Sequence, residues 1–246
     1  MISSAKIIFR LASGFLLFAL FPAAAFSYEE VEVKGGGKVG GFVRYDGKAG
    51  KADYLQVTKN REVCGKVADE SLVVGVGQGL RYAVVTLEGI GKGKAVEREA
   101  VHELDNVKCR FVPHVQTASV GQFLLVKNTD PILHTAHAYT PEGQPHFNVG
   151  LYPGRASRKP LAKAGVFKIL CEVHPWMSAY VVVSEHPYHA VTDAYGEYQL
   201  TDVPAGRYRL RVWHEKLGVK EQEIEVKTGA VTKADFVVSP RQGVKR

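Results

Sequence analysis

From about residue 35 onward, apolar and polar residues alternate over short runs, and turn formers interrupt each run before a helical period can build. Residues 38–45 alternate into an Asp46-Gly47 turn, and 82–87 form a β-branched run. Further short runs of β-favouring residues occupy 123–126, 166–170, 180–183, 198–200 and 208–213. Between them lie Asn128-Thr129-Asp130-Pro131, Ala164-Gly165, Ala194-Tyr195-Gly196 and Val203-Pro204-Ala205-Gly206, all rich in turn residues. No segment sustains an apolar period of 3.6. The pattern predicts an all-β protein built as two sandwiches, with 89–101 and 140–163 as longer surface loops.

The first 27 residues break this pattern. Lys6 and Arg10 precede an apolar run from 11 to 21, and Ala23-Ala24-Ala25 or Ala25-Phe26-Ser27 offers small residues to a peptidase. That is the layout of a cleaved export signal, and the run is short for a membrane span. The expectation is a periplasmic or otherwise exported mature chain without a membrane span, in a compartment where disulfides persist. Composition changes little: 46% hydrophobic and 23% charged residues fit a globular chain of 246 residues with room for one or two cores. The formal charge of +7 is spread along the chain with no dense basic run, so the footprint of a nucleic-acid binder is missing.

Chemistry concentrates in Cys171-Glu172-Val173-His174-Pro175-Trp176-Met177. Cys, His and Met recur every third residue on one short loop between two expected strands. Thiolate, imidazole and thioether form a soft donor set that suits copper, whereas calcium and magnesium want oxygens and structural zinc rarely takes a thioether. Electron-transfer copper sites use two His, one Cys and a weak axial Met, so the loop lacks one imidazole. His134 is the leading candidate, with His137, His114 and His146 as rivals; His137 would leave the opposite face of a strand from His134. His186, His189 and His214 read as surface or inter-domain residues. With Cys171 given to the metal, Cys64 and Cys109 are left to pair, a connectivity that spacing alone leaves open. No Gly-x-Ser-x-Gly, His-Glu-x-x-His, phosphate loop or Cys-x-x-Cys-His occurs, and no His-x-His pair offers a second copper type, so no enzyme is expected.

This stretch resembles the cupredoxins, above all their amicyanin-like members, which carry Cys-x-x-His-Pro-Phe/Trp-Met after an upstream Asn and His. Phe111-Val112-Pro113, Val120-Gly121 and the run through Asn128 extend the likeness over roughly 107–184. The resemblance implies one copper ion held by His134, Cys171 and His174 with Met177 as distant axial ligand. It also implies Pro175 and Trp176 as walls, and a redox partner docking at a solvent-facing edge of His174. Two departures stand out: Leu133 replaces a usual Pro, and Thr135 stands where the family often has the Asn that pins the loop.

The last sixty residues differ. Thr192-Asp193-Ala194-Tyr195-Gly196-Glu197-Tyr198, then Val203-Pro204-Ala205-Gly206-Arg207-Tyr208-Arg209-Leu210, resembles the carboxypeptidase regulatory-like or prealbumin-like sandwich. Gly196 and Gly206 are expected where hairpins need positive φ. The opening strand of that family is matched by Gly40-Gly41-Phe42-Val43-Arg44-Tyr45-Asp46-Gly47, at the other end of the chain. The expected layout is therefore 28–100 with 185–246 as one sandwich and the cupredoxin-like Greek-key module, 101–184, inserted between; two sandwiches in tandem is the simpler alternative. The implied function is one-electron transfer by a blue copper protein. Its competitors are copper storage or delivery to an acceptor, and an envelope scaffold with a vestigial site.

Overall fold

The computed structural model describes residues 28–48, 50 and 53–240. The expected export signal, 1–27, lies outside the described residues. The described chain is all-β: nineteen strands in five sheets, with one four-residue α-helical turn, Arg61–Cys64, and a 3-10 turn, Val76–Gln78. Among the described residues no helix is long and apolar enough to cross a membrane.

Two sheets come from the middle of the chain. One has five strands in the order Pro145–Leu151, His134–Tyr139, Gly165–Leu170, Ser178–Ser184, Val115–Ser119, with the last pair parallel. The other orders Ala156–Pro160, Phe123–Asn128, Val101–Asn106 and Phe111–Val112. Between them Leu104, Phe111, Leu124, Val126, Phe167, Ile169 and Val181 form a buried core. The strand Phe123–Asn128 alternates half-buried and buried positions with period two, as a sheet with one covered face requires.

Two further four-stranded sheets join the ends of the chain. Gly37–Tyr45 pairs with Glu197–Val203, Val231–Lys233 and Phe236–Val238; Val84–Glu88 pairs with His189–Val191 and Gly206–His214, which pairs on with Gly218–Val226. Their core holds Val39, Val43, Leu87, Leu210, Val212 and Phe236. A small third cluster of Tyr82, Val84, Val115 and Val182, backed by Tyr180 and Trp213, connects the two bodies.

Each expected β run falls on a strand, but other strands, among them the inner Val101–Asn106 and His134–Tyr139, carried no expected run. The expected loop 140–163 contains the strands Pro145–Leu151 and Ala156–Pro160. Both lie at sheet edges with few buried positions; Ala156–Pro160 lacks the apolar weight that marks an inner strand, while Pro145–Leu151 alternates Phe147, Val149 and Leu151 but is interrupted by Pro145 and Gly150. Gly218–Val226, like Ala156–Pro160, is a charged edge strand with little apolar weight. Gly196 does take the left-handed backbone, at φ 76. Gly206 instead begins a strand, and Asp202 adopts positive φ before that turn.

Residues 53–69 form an excursion of their own. The chain leaves and returns with Leu55 and Val67, and Asp53 and Asp69, joined by backbone hydrogen bonds. Its apolar side chains Leu55, Val57, Val63, Cys64 and Val67 pack on the core of the middle sheets, although the segment lies far upstream in sequence. A disulfide between Cys64 and Cys109 ties it there, the pairing the cysteine count anticipated.

Candidate metal centre

The strand His134–Tyr139 turns His134 inward and His137 outward. His134 is fully buried, and Cys171, at the end of Gly165–Leu170, is 2% exposed. After Cys171 the loop closes tightly: the Met177 amide donates to the His174 carbonyl at 2.9 Å and the Cys171 amide to the Met177 carbonyl at 3.3 Å. Those two bonds put residues 171, 174 and 177 on the inside of one turn. Met177 is buried against the same core.

The imidazoles of His134 and His174 converge on the thiol. Each Nδ1 lies 3.8 Å from Cys171 Sγ, and the ring centroids are 4.5 Å apart. All three donor atoms fall within 4.8 Å of one another. Two donors that share an ion at about 2.0–2.3 Å each lie within about 4.5 Å of one another, so this spacing fits one small metal.

What aims the nitrogens is a ring of partners behind them. His134 Nε2 donates to Asp130 Oδ2 at 3.0 Å, and His174 Nε2 donates to Asn60 Oδ1 at 3.0 Å. A carboxylate or amide oxygen only accepts, so each distal nitrogen carries the proton and each Nδ1 keeps its lone pair facing the sulfur. Asp130 is itself fixed: it accepts the amides of Lys108 at 2.6 Å and Cys109 at 2.8 Å. Both residues adopt left-handed backbone, φ 50 and 54, a conformation non-glycine residues hold only with such support. Asn60, also left-handed at φ 49, caps the helical turn that ends at Cys64. Burial, with His134 and Lys59 adding to it, pulls the His174 pKa down to about 4, so its ring stays neutral near pH 7.

Cys171 feels opposed effects. Burial pushes its thiol up, yet hydrogen bonds from the Thr135 and His174 backbone and the Thr135 hydroxyl outweigh this and leave the pKa below the usual thiol value. Thr135 also accepts the Glu172 amide on Oγ1 at 2.7 Å and points its own amide at Sγ, 3.4 Å away. It thus holds the loop in the place where an Asn was expected.

Of the expected residues, His134, Cys171 and His174 come together and Met177 sits in the same turn. The rivals lie elsewhere: His114 pairs with Glu215, His137 contacts Glu172 at 2.7 Å, and His146 packs near Phe167 on the surface. The expected solvent-facing edge of His174 is absent, because Asn60 and the excursion around it cover the ring, which is 0% exposed. Trp176 lies edge-on to His174 at 5.1 Å and donates to the Cys109 carbonyl; Pro175 is exposed. Asn60 and Asp130 were missed in the sequence. Asp130 carried one faint signal, its place four residues before His134; Asn60, 114 residues from His174, carried none.

Among solved structures, the chain is similar to a purple cupredoxin from Nitrosopumilus maritimus, at 22% identity and TM-score 0.31, over 33% of this chain and 98% of that one. It is similar to a copper-containing nitrite reductase from Thermus scotoductus at 24% identity and TM-score 0.32, over 39% and 25% of the two chains. Amicyanin from Paracoccus versutus aligns at 17% identity and TM-score 0.31, over 41% and 97%. No curated protein matches the sequence. Residues 174–239 match the family model of the carboxypeptidase regulatory-like domain, a match that starts inside the Cys-His-Met loop.

Proposed function

We propose that this is an exported protein that binds one copper ion between His134, Cys171 and His174, with Met177 as a fourth, weaker ligand, and that it serves as a one-electron carrier. The observation that carries this reading is the pair of Nδ1 atoms turned onto the single free thiol, each with its distal nitrogen already engaged. Bound copper supplies a one-electron couple. The chain supplies the rest: a soft donor set, imidazoles whose tautomers are set in advance, a thiol biased toward thiolate, and burial that keeps water away. Export is supported by the pattern of 1–27 and by a disulfide of the kind that oxidising compartments preserve. The inserted arrangement is supported by the strand pairs that join 37–45 and 84–88 to strands beyond residue 188.

Copper-loaded protein should show an intense visible band in the oxidised form that vanishes in Cys171→Ser. A colourless copper complex in the wild type would remove the carrier reading.

The covered His174 ring favours a second reading, copper holding and delivery, since a carrier gains from an exposed ligand edge. Slow electron exchange with small redox reagents, combined with tight Cu(I) retention and transfer to an acceptor, would select it.

A further inference from the structure

The strand that leaves the donor loop, Ser178–Ser184, is tied at both ends to the body built from the two ends of the chain. At the far end Ser119, which lies opposite Ser184 in register, shares a hydrogen bond with His189 at 3.0 Å. At the near end the tie is His114. Its carbonyl accepts the Tyr180 amide at 2.9 Å and its Nδ1 donates to the Ser178 carbonyl at 3.1 Å, so one residue grips both sides of Ala179. Its Nε2 meets Glu215, which stands in the turn between Gly206–His214 and Gly218–Val226. Beside that turn Trp213 packs on Tyr180 at 5.3 Å.

Ser178 follows Met177 directly. A carbonyl only accepts, so Nδ1 of His114 carries a proton, and Nε2 shares another with the Glu215 carboxyl. The two side chains are only 6% and 9% exposed. In so dry a place the pair holds its geometry, because either partner alone would be left unsatisfied. Packing does not close the loop from this side. A cavity of about 290 Å³ lies against Trp176, Met177, His114 and Glu215. With the pair gone, Ser178 and Met177 would have room to shift.

Given the reading of Met177 as a weak fourth copper ligand, on which this rests, we infer that Glu215 and His114 are positioning residues through which the body built from the chain ends fixes the place of Met177. The carboxylate acts through His114 and the Ser178 carbonyl. The axial ligand of such a site tunes its reduction potential. A thioether held close favours Cu(II) over Cu(I), because its electron pair is worth more to the ion of higher charge. Loosening Met177 therefore raises the potential.

The test compares Glu215→Ala with Glu215→Gln in the full chain, since a Gln amide still donates to Nε2 of a neutral His114 ring. In the metal-free protein, hydrogen exchange reads the two amides that close the loop, those of Cys171 and Met177. Glu215→Ala should speed both by about tenfold, the worth of one buried hydrogen bond to a charged group. Glu215→Gln should exchange like wild type, and the amides of Leu124 and Val126 in the other middle sheet should keep their protection. In copper-loaded protein, Glu215→Ala should move the equilibrium at least threefold toward the reduced form, about 28 mV at 59 mV per tenfold, with Glu215→Gln unshifted. Four results would overturn the inference. They are unchanged exchange in the loop, an unchanged potential, Glu215→Gln behaving like Glu215→Ala, or faster exchange that includes Leu124 and Val126 equally. The exchange measurement involves no copper, so its failure is separable from failure of the wild type to show a blue copper band.

Discussion

At Cys171 burial and hydrogen bonding pull in opposite directions, and the balance left by Thr135 and the loop backbone decides whether a thiolate is ready for metal. Behind it, Asn60 and Asp130 decide where the imidazole lone pairs point. Neither touches the sulfur, yet removal of such a partner lowers metal affinity by about 10–100-fold in comparable sites. Asn60→Ala and Asp130→Ala should each weaken copper binding on that scale in a competition titration while the chain stays folded. Unchanged affinity in both would mean that packing alone aims the rings. The loop residues were legible because 171, 174 and 177 sit within one short string of unusual composition. Asn60 was illegible because a single amide from a distant segment looks like any surface Asn until the chain folds it onto His174.

Among elements, the excursion 53–69 carries the most consequence for its size. Its disulfide spans 45 residues of sequence, and closing a loop of that length in the unfolded chain contributes about 4 kcal/mol in the chain-entropy account. Cys64→Ala with Cys109→Ala should lower the unfolding free energy by an amount of that order in denaturant titrations; a loss below about 1 kcal/mol would show that residual structure already closes the loop. A second element-scale test concerns the turn before Glu197–Val203. Gly196 is left-handed, and a Cβ there would collide with the Val43 carbonyl and the Leu80 amide. Gly196→Ala should cost about 1–3 kcal/mol, measured the same way, because strain and collision act together. Gly206→Ala should cost less, since its backbone needs no positive φ.

For the whole molecule, the junction between the two bodies is lined by histidines the metal centre does not use. Burial is the main cause that lowers the pKa of His186, His189 and His214, each to about 4. His186 accepts the Tyr188 amide on Nδ1, as a neutral ring must, and His189 takes Ser119 as its partner across the two bodies. A depressed folded pKa means that the unfolded chain binds the proton first. The stability these rings provide is intact above about pH 6.5 and drains away as pH falls toward 4. The denaturation midpoint should drop across that window, and His189→Gln should flatten the curve. A midpoint constant from pH 7 to 4 would rule the rings out as the acid-sensitive part.

The sequence by itself determined the all-β class, the positions of several inner strands and the Cys171–Met177 donor string. Each is a local property: alternation with period two, turn residues, and soft donors three residues apart on one loop. It also left Cys64 and Cys109 as the natural pair. Only the tertiary structure decided that His134 and not its rivals faces the thiol, that the edges 145–151 and 218–226 are strands, and that Asn60 closes over His174. Those outcomes depend on which distant segments meet. Contact across a hundred residues is set by packing of the assembled sheets, and a one-dimensional pattern does not encode it.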